Sequence, residues 1–146
     1  NKLSDDKEPN GKLLTLDADR GSDQMPNVIS RNFTNPLGIS FVNGILWVAD
    51  AGYRGPDKLG RAGENGLQQD AIELGTNTEP WALTPYGDRE LVLCMRGTKQ
   101  LKRYLVESVK PVPGRLLTND CTRGVVELTD SRLAYATDTQ IRVTTQ

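Results

Sequence analysis

Apolar and polar positions alternate in three similar segments of this chain. Each segment contains an apolar strand that includes a small residue, and a second apolar strand follows it. Residues that share the small position are Gly38, Ala82 and Gly124, spaced by 44 and 42 residues. Leucines that open the second strand are Leu46, Leu91 and Leu133, spaced by 45 and 42 residues. A period in the low forties with two apolar strands per unit is typical of β-propeller blades.

The first segment predicts a hairpin of two buried strands. Pro36–Phe41 and Gly44–Ala49 are apolar runs joined by Asn43-Gly44, a dipeptide that favours a tight hairpin turn. Apolar residues occupy both alternating faces of the second strand, as expected where neighbouring blades cover a strand on both sides.

Further strands are predicted from the same alternation, and one segment interrupts them. The predicted strands outside the first hairpin are 11–17, 27–31, 67–74, 81–84, 90–95, 100–106, 115–118, 124–128, 132–136 and 140–144. The stretch 51–66 holds five glycines, and we interpret it as a long loop inserted into the first blade.

The strand count predicts an all-β, partial propeller of about three four-stranded units. Residues 1–10 are polar and aperiodic, which indicates a flexible tail, and 11–146 form the propeller part, with repeats near 36–75, 80–118 and 122–146. Natural propellers have about four to eight blades. We therefore expect another chain to complete the ring, either a second copy or a sister propeller fragment; the alternative is half of a longer propeller that was cut.

Composition narrows the class of partner. The 146 residues are 36% hydrophobic and 25% charged, which is ordinary for one globular domain. The net charge of −1 gives no indication of nucleic-acid binding and leaves self-association unopposed. No apolar run approaches the roughly 20 residues of a membrane span. The start at Asn1 and the sequon Asn32-Phe33-Thr34 favour an exported, glycosylated protein.

The two cysteines lie at different positions of adjacent repeats. Cys94 falls within a predicted strand, and Cys121 falls just before one. Two unrelated thiols are the favoured interpretation, with a disulfide as the alternative.

The segment Asn35-Pro36-Leu37-Gly38-Ile39-Ser40-Phe41-Val42-Asn43-Gly44-Ile45-Leu46-Trp47-Val48-Ala49-Asp50-Ala51-Gly52 resembles the repeats of NHL and gluconolactonase-like six-bladed propellers. The resemblance is partial over 80–97 and faint over 123–138. It implies a closed ring with ligands at a central channel, and it does not imply one activity, because the fold hosts lactonases, sugar dehydrogenases, lyases and binding modules.

The chain contains no histidine, which removes imidazole metal sites, whereas metal sites built from oxygen ligands remain possible. Alternate carboxylates at Asp17, Asp19 and Asp23 suit Ca²⁺, although an ordinary solvated turn is favoured there. The resemblance to gluconolactonase-like enzymes, which hold a divalent ion with a Glu/Asn/Asp cluster, points to Asn35, Asp50 and Glu79. For Asp50, capping of the following turn is the favoured alternative.

Aromatic and charged residues suggest a binding loop. Tyr53, Arg54, Asp57 and Lys58 lie in the inserted loop, where scaffolds commonly carry specificity. We interpret Trp47 and Trp81 as packing between blades rather than as a sugar platform.

The favoured function is a secreted binding or assembly module that pairs through open blade edges, since no catalytic set is complete. The alternatives are a metal-dependent lactonase-like hydrolase and half of a processed sugar-oxidising propeller enzyme. A histidine in the channel of related quinone-dependent sugar dehydrogenases would then have to come from a different chain.

Overall fold

The computed structural model describes residues 11–144, and within that range the chain is all-β. The tail predicted over 1–10 lies outside the described residues. The strands are β1 (Leu13–Thr15), β2 (Asn27–Ser30), β3 (Pro36–Val42), β4 (Ile45–Asp50), β5 (Asp57–Gly63), β6 (Gly66–Leu67), β7 (Ile72–Gly75), β8 (Pro80–Tyr86), β9 (Glu90–Met95), β10 (Gln100–Leu105), β11 (Val112–Thr118), β12 (Gly124–Glu127), β13 (Leu133–Ala136) and β14 (Ile141–Val143).

The strands form three antiparallel sheets and one N-terminal hairpin. The first sheet runs β3-β4-β5, and β5 pairs on its far side with β7 and, further along, with β6. The second sheet runs β8-β9-β10-β11, the third runs β12-β13-β14, and β1 pairs with β2. Because β3 contacts β8 and β8 contacts β12, the first strands of the three sheets lie side by side, as the innermost strands of propeller blades do. The predicted all-β partial propeller is confirmed.

The β3–β4 turn shows why the hairpin was predictable. Asn43 and Gly44 have φ values of 50° and 74°, and a two-residue turn that matches the twist of the strands requires positive φ at both positions.

Each middle strand buries side chains on both of its faces. Trp47 and Ala49 of β4 pack with the second sheet, whereas Val48 packs with Leu13 and Phe33 beside the N-terminal hairpin. The same alternation recurs in the second sheet at β9, where odd-numbered residues face the first sheet and even-numbered residues face the third. The core is therefore a series of layers between sheets rather than one central cluster.

A disulfide joins Cys94 of β9 to Cys121, so the expectation of two unrelated thiols is wrong. Both residues are fully buried in the layer between the second and third sheets. The sequence placed them in different repeats, but adjacent blades face one another, and their Cα atoms are 5.7 Å apart.

The prediction of a long loop over 51–66 is also wrong for about half of that stretch. Asp57–Gly63 is β5, a central strand of the first sheet. Its glycines serve close packing: a Cβ on Gly60 would lie 2.5 Å from the Cβ of Ala71. Composition suggested a loop because this strand contains glycines. They lack side chains, which lets a neighbouring segment pack closely against the strand.

No helix long and apolar enough to cross a membrane occurs in residues 11–144.

Apolar side chains remain exposed on the two outward faces of the array, which we call the leading and trailing flanks. The leading flank is the face of β3 that carries Ile39 and Phe41, which are 56% and 63% exposed. The trailing flank is the face of the third sheet turned away from the second. Its residues, aligned by register across the three strands, are Gly124, Val126, Ala134, Ala136, Ile141 and Val143.

Candidate functional site at the loop end of the sheets

Polar loops gather at the end of the first and second sheets where their inner strands begin. β3 and β8 start there, β4 ends there, and the 51–56 connection joins β4 to β5 at the same end. Alternating strand direction puts these loops together, so residues distant in sequence share one surface.

Asp57 holds this loop end together. Its Oδ1 accepts a hydrogen bond from the Gly52 amide at 2.8 Å. Its Oδ2 accepts three more, from the Thr78 amide at 2.7 Å, the Thr78 hydroxyl at 2.7 Å and the Glu79 amide at 2.9 Å. The side chain is buried at the start of β5, so the sequence-based placement of Asp57 in a loop is wrong. Asp57 instead fixes the 51–56 and 76–79 connections to each other.

Asp50 performs a similar task beside the first connection. Its two carboxylate oxygens accept hydrogen bonds from the amides of Thr34 at 3.0 Å and Asn35 at 2.6 Å. Burial raises the pKa of Asp50, and those two amides and the nearby Lys58 ammonium oppose that increase. The carboxylate therefore orders the turn before β3, rather than the turn after its own strand that the sequence favoured.

Glu79 and Asn35 do not join Asp50 in a common cluster of side chains. The Glu79 carboxylate lies 3.6 Å from the Arg96 guanidinium, and Asn35 meets Asp50 through its backbone amide. Arg96 in turn lies over the Trp81 ring, 4.9 Å from its centroid. Trp81 is 36% exposed, so its packing between blades stays a prediction, whereas Trp47 is fully buried as expected.

The acidic segment after β1 is organised as a turn. Asp17 accepts the Asp19 amide at 3.0 Å and pairs with Arg20 at 3.5 Å. Asp23 accepts the Ser22 hydroxyl at 3.4 Å. Within the described part of the chain, no three His, Cys, Asp or Glu side chains are grouped so that they could hold a metal ion. Calcium or another divalent ion at either predicted set stays a prediction without support from this arrangement.

A polar cleft of about 530 Å³ opens between the 31–35, 51–56 and 64–66 connections, and we call it the loop cleft. Side chains that give the cleft its character are Asn32, Asp50, Tyr53, Arg54, Lys58 and Asn65. Three of the four predicted binding-loop residues therefore line one cavity, although Lys58 lies on β5 rather than in a loop. Asn32 is exposed with φ at 65°, and its glycosylation stays a prediction.

A second groove, of about 520 Å³, lies between the outer strands of the second and third sheets. Arg103 lies over the Tyr86 ring on one wall, 4.5 Å from the centroid, and Leu133 and Tyr135 line the other. The first and second sheets each have a further strand at the corresponding outer position, β7 and β11, whereas the described part of the third sheet ends at β14.

Sequence reasoning missed Asn65 of the loop cleft and the Glu79–Arg96–Trp81 cluster. Asn65-Gly66 is a hairpin signal of the same kind as Asn43-Gly44, and that signal could have indicated the β5–β6 turn. Arg96 carries no comparable signal, because its position over Trp81 depends on the pairing of β8 with β9.

Solved structures of sugar dehydrogenases resemble this chain. A glucose dehydrogenase superposes with a TM-score of 0.76 at 22% identity, over 93% of this chain and 51% of its own. A second glucose dehydrogenase gives 0.70 at 21% identity, over 91% of this chain and 53% of its own. The soluble aldose sugar dehydrogenase of Escherichia coli gives 0.68 at 17% identity, over 93% and 55%.

No protein-family model and no curated protein sequence matches the chain. At these identities the structural likeness shows the fold alone. The chain is a partial β-propeller that spans about half the length of the dehydrogenase structures it matches.

Proposed function

We propose that this chain is a propeller sector whose two apolar flanks pack head to tail against a second copy, so that two sectors close one ring. The observation that carries the proposal is the exposed pair of flanks on a chain that matches about half the length of each dehydrogenase chain. A ring in which each leading flank meets the other copy's trailing flank has a two-fold axis and leaves neither flank open.

The trailing flank has the pattern of a surface made to be covered. Ala134 and Ala136 of β13 occupy the repeat positions that Val92 and Cys94 fill in β9, and those two are buried against the third sheet. Ile141 is 80% exposed on the same face. None of the trailing-flank residues carries a charged side chain. A sheet face exposed to solvent normally carries the polar residues of each strand, whereas the apolar residues point to the core.

The test measures the mass of the chain in solution as a function of concentration. We expect a reversible particle of roughly twice 16.1 kDa at micromolar concentration. Phe41→Asp on the leading flank and Ile141→Asp on the trailing flank should each shift the particle toward monomer. Val109→Asp, which changes a 55% exposed valine outside both flanks, serves as the matched control and should leave the mass unchanged.

Mixing the two flank variants sharpens the test. In a two-fold ring each variant alone has two damaged interfaces, whereas a mixed pair has one intact interface and one doubly damaged interface. Mixing should therefore restore part of the dimer. A monomeric mass at all concentrations would overturn the proposal. A dimeric mass that neither flank variant changes would also overturn it.

A second candidate is that the completed ring oxidises sugars, which the names of the three structural neighbours favour. Oxidation of an aldose to its lactone removes two electrons and two protons, which an electron acceptor must take up. Histidine does not occur in these 146 residues, so an imidazole base would have to come from other blades. Aldose-dependent reduction of an acceptor dye by the particle isolated from its native source tests this candidate, and its absence there would overturn it.

A further inference from the structure

We infer that one contact fixes the register of the two-copy ring and selects the partner: Ile39 of one copy lies on Gly124 of the second copy. The inference rests on the ring proposed above and names the pair of residues that makes the flanks specific for each other. Its basis is a pair of adjacent positions that recurs in every repeat. The three pairs are Gly38-Ile39, Ala82-Leu83 and Gly124-Val125.

In the layer between the first and second sheets, the small residue of one sheet receives the large residue of the next. A Cβ on Gly38 would lie 3.0 Å from the Leu83 Cβ, so the leucine occupies the space that the glycine leaves. Leu83 is buried in this contact, and the strands that carry the two residues, β3 and β8, lie side by side.

The layer between the second and third sheets repeats the arrangement with different residues. Ala82 and Val125 both pack against the core cluster of that layer, and their strands, β8 and β12, are in contact. Glycine with leucine in the first layer and alanine with valine in the second each provide four side-chain carbons. Because protein interiors are packed to a nearly constant density, a smaller residue on one sheet requires a larger one on the next.

The two flanks carry the same kind of pair, and it is left open. Ile39 is 56% exposed, whereas Leu83 is buried and Val125 is half-buried. A Cβ on Gly124 would meet no atom within 4 Å. Glycine with isoleucine again provides four side-chain carbons, so a second copy of this chain fills the open layer as the two layers within the chain are filled. A register shifted by two residues would instead place Phe41, with seven side-chain carbons, on the glycine.

The experiment moves the alanine–valine pair of the second layer into the interface between copies. Gly124→Ala alone adds a carbon to the contact and Ile39→Val alone removes one. Each should raise the dimer Kd by about tenfold or more, since a two-fold ring contains the contact twice. The chain with both substitutions has four carbons again, and its Kd should return to within about threefold of the unmodified value. Sedimentation equilibrium over a range of concentrations measures all four constants.

Gly124→Ala/Phe41→Leu is the matched control, because it shrinks a leading-flank residue outside the contact and should not restore the dimer. A second measurement separates a weakened interface from a damaged fold. In dilute solution, where the chain is monomeric, urea denaturation of each single variant should give nearly the unmodified midpoint, because neither position is covered within one chain.

The outcomes separate this contact from the ring proposal. A dimer that neither single variant weakens, or that the double variant fails to restore, would disprove the contact while the ring proposal stands. Restoration by the control pair would disprove it as well, because any loss of volume would then suffice. A monomeric mass at every concentration would disprove both.

Discussion

At the scale of single residues, one buried and one half-buried carboxylate order this protein's loop end by accepting backbone amides. Asp57 accepts four hydrogen bonds from three residues, and Asp50 accepts two amides in the neighbouring turn. Each carboxylate offers two acceptor oxygens and no donor, which is the requirement where several N–H groups converge. The acidic residues at strand ends are therefore explained by the loops they connect.

Asp57→Asn tests this role. The substitution replaces one acceptor oxygen with an NH₂ group, which would face either the Gly52 amide or the Thr78 and Glu79 donors. A buried donor left without an acceptor costs about 1–3 kcal/mol, so the free energy of unfolding should fall by about that amount. Urea denaturation measures the change. Asp88→Asn, in the exposed β8–β9 turn, is the matched control, and an equal effect of both variants would argue against the role of Asp57.

At the scale of elements, β5 shows where local composition misleads. Its glycines and its aspartate indicate a loop, yet Lys58–Arg61 of this strand pairs with Trp47–Asp50 of β4. The sequence does not reveal this pairing, because two residues of the strand serve other contacts. Gly60 allows the close approach of Ala71, and Asp57 accepts hydrogen bonds that join the 51–56 and 76–79 connections. The Asn43-Gly44 hairpin was predictable because its signal is local backbone geometry.

The disulfide between Cys94 and Cys121 links two neighbouring sheets, and its removal should loosen that connection. The cysteines are 27 residues apart, so the chain-entropy estimate gives a stabilisation of roughly 3–4 kcal/mol. Cys94→Ala/Cys121→Ala should lower the urea midpoint accordingly in equilibrium denaturation. Because the bond lies within one chain, the mass of the proposed dimer at saturating protein concentration should be retained. An unchanged midpoint would contradict the prediction.

At the scale of the whole molecule, glycines at equivalent repeat positions differ in what surrounds them. A Cβ on Gly38 would lie 3.0 Å from the Leu83 Cβ and 3.2 Å from the Leu83 amide nitrogen, because β8 packs beside β3. A Cβ on Gly124 would meet no atom within 4 Å, because the trailing flank is open. The same small residue therefore lies in a packed layer between sheets in the first repeat and on an uncovered sheet face in the third.

Paired substitutions at these two positions test that difference within one chain. In the Ile141→Asp background, which keeps the chain monomeric under the proposal, Gly38→Ala should lower the free energy of unfolding by about 1–3 kcal/mol through overpacking. Gly124→Ala should change it by no more than about 0.5 kcal/mol, as surface substitutions do. Thermal or urea denaturation of both variants measures the contrast. A comparable loss in both would show that the trailing flank is covered within a single chain.

The sequence by itself determined the repeat, the strands with two apolar faces and the tight hairpin, because these depend on side-chain alternation and local backbone geometry. Only the tertiary structure decided that Cys94 meets Cys121, that a buried Asp57 ties two connections together, and that Asn32 and Asn65 line one cleft with Tyr53 and Arg54. Each of those facts is a contact between segments whose separation in the chain carries no information about their distance in space. They arise when neighbouring sheets pack face to face and bring their loops to one end.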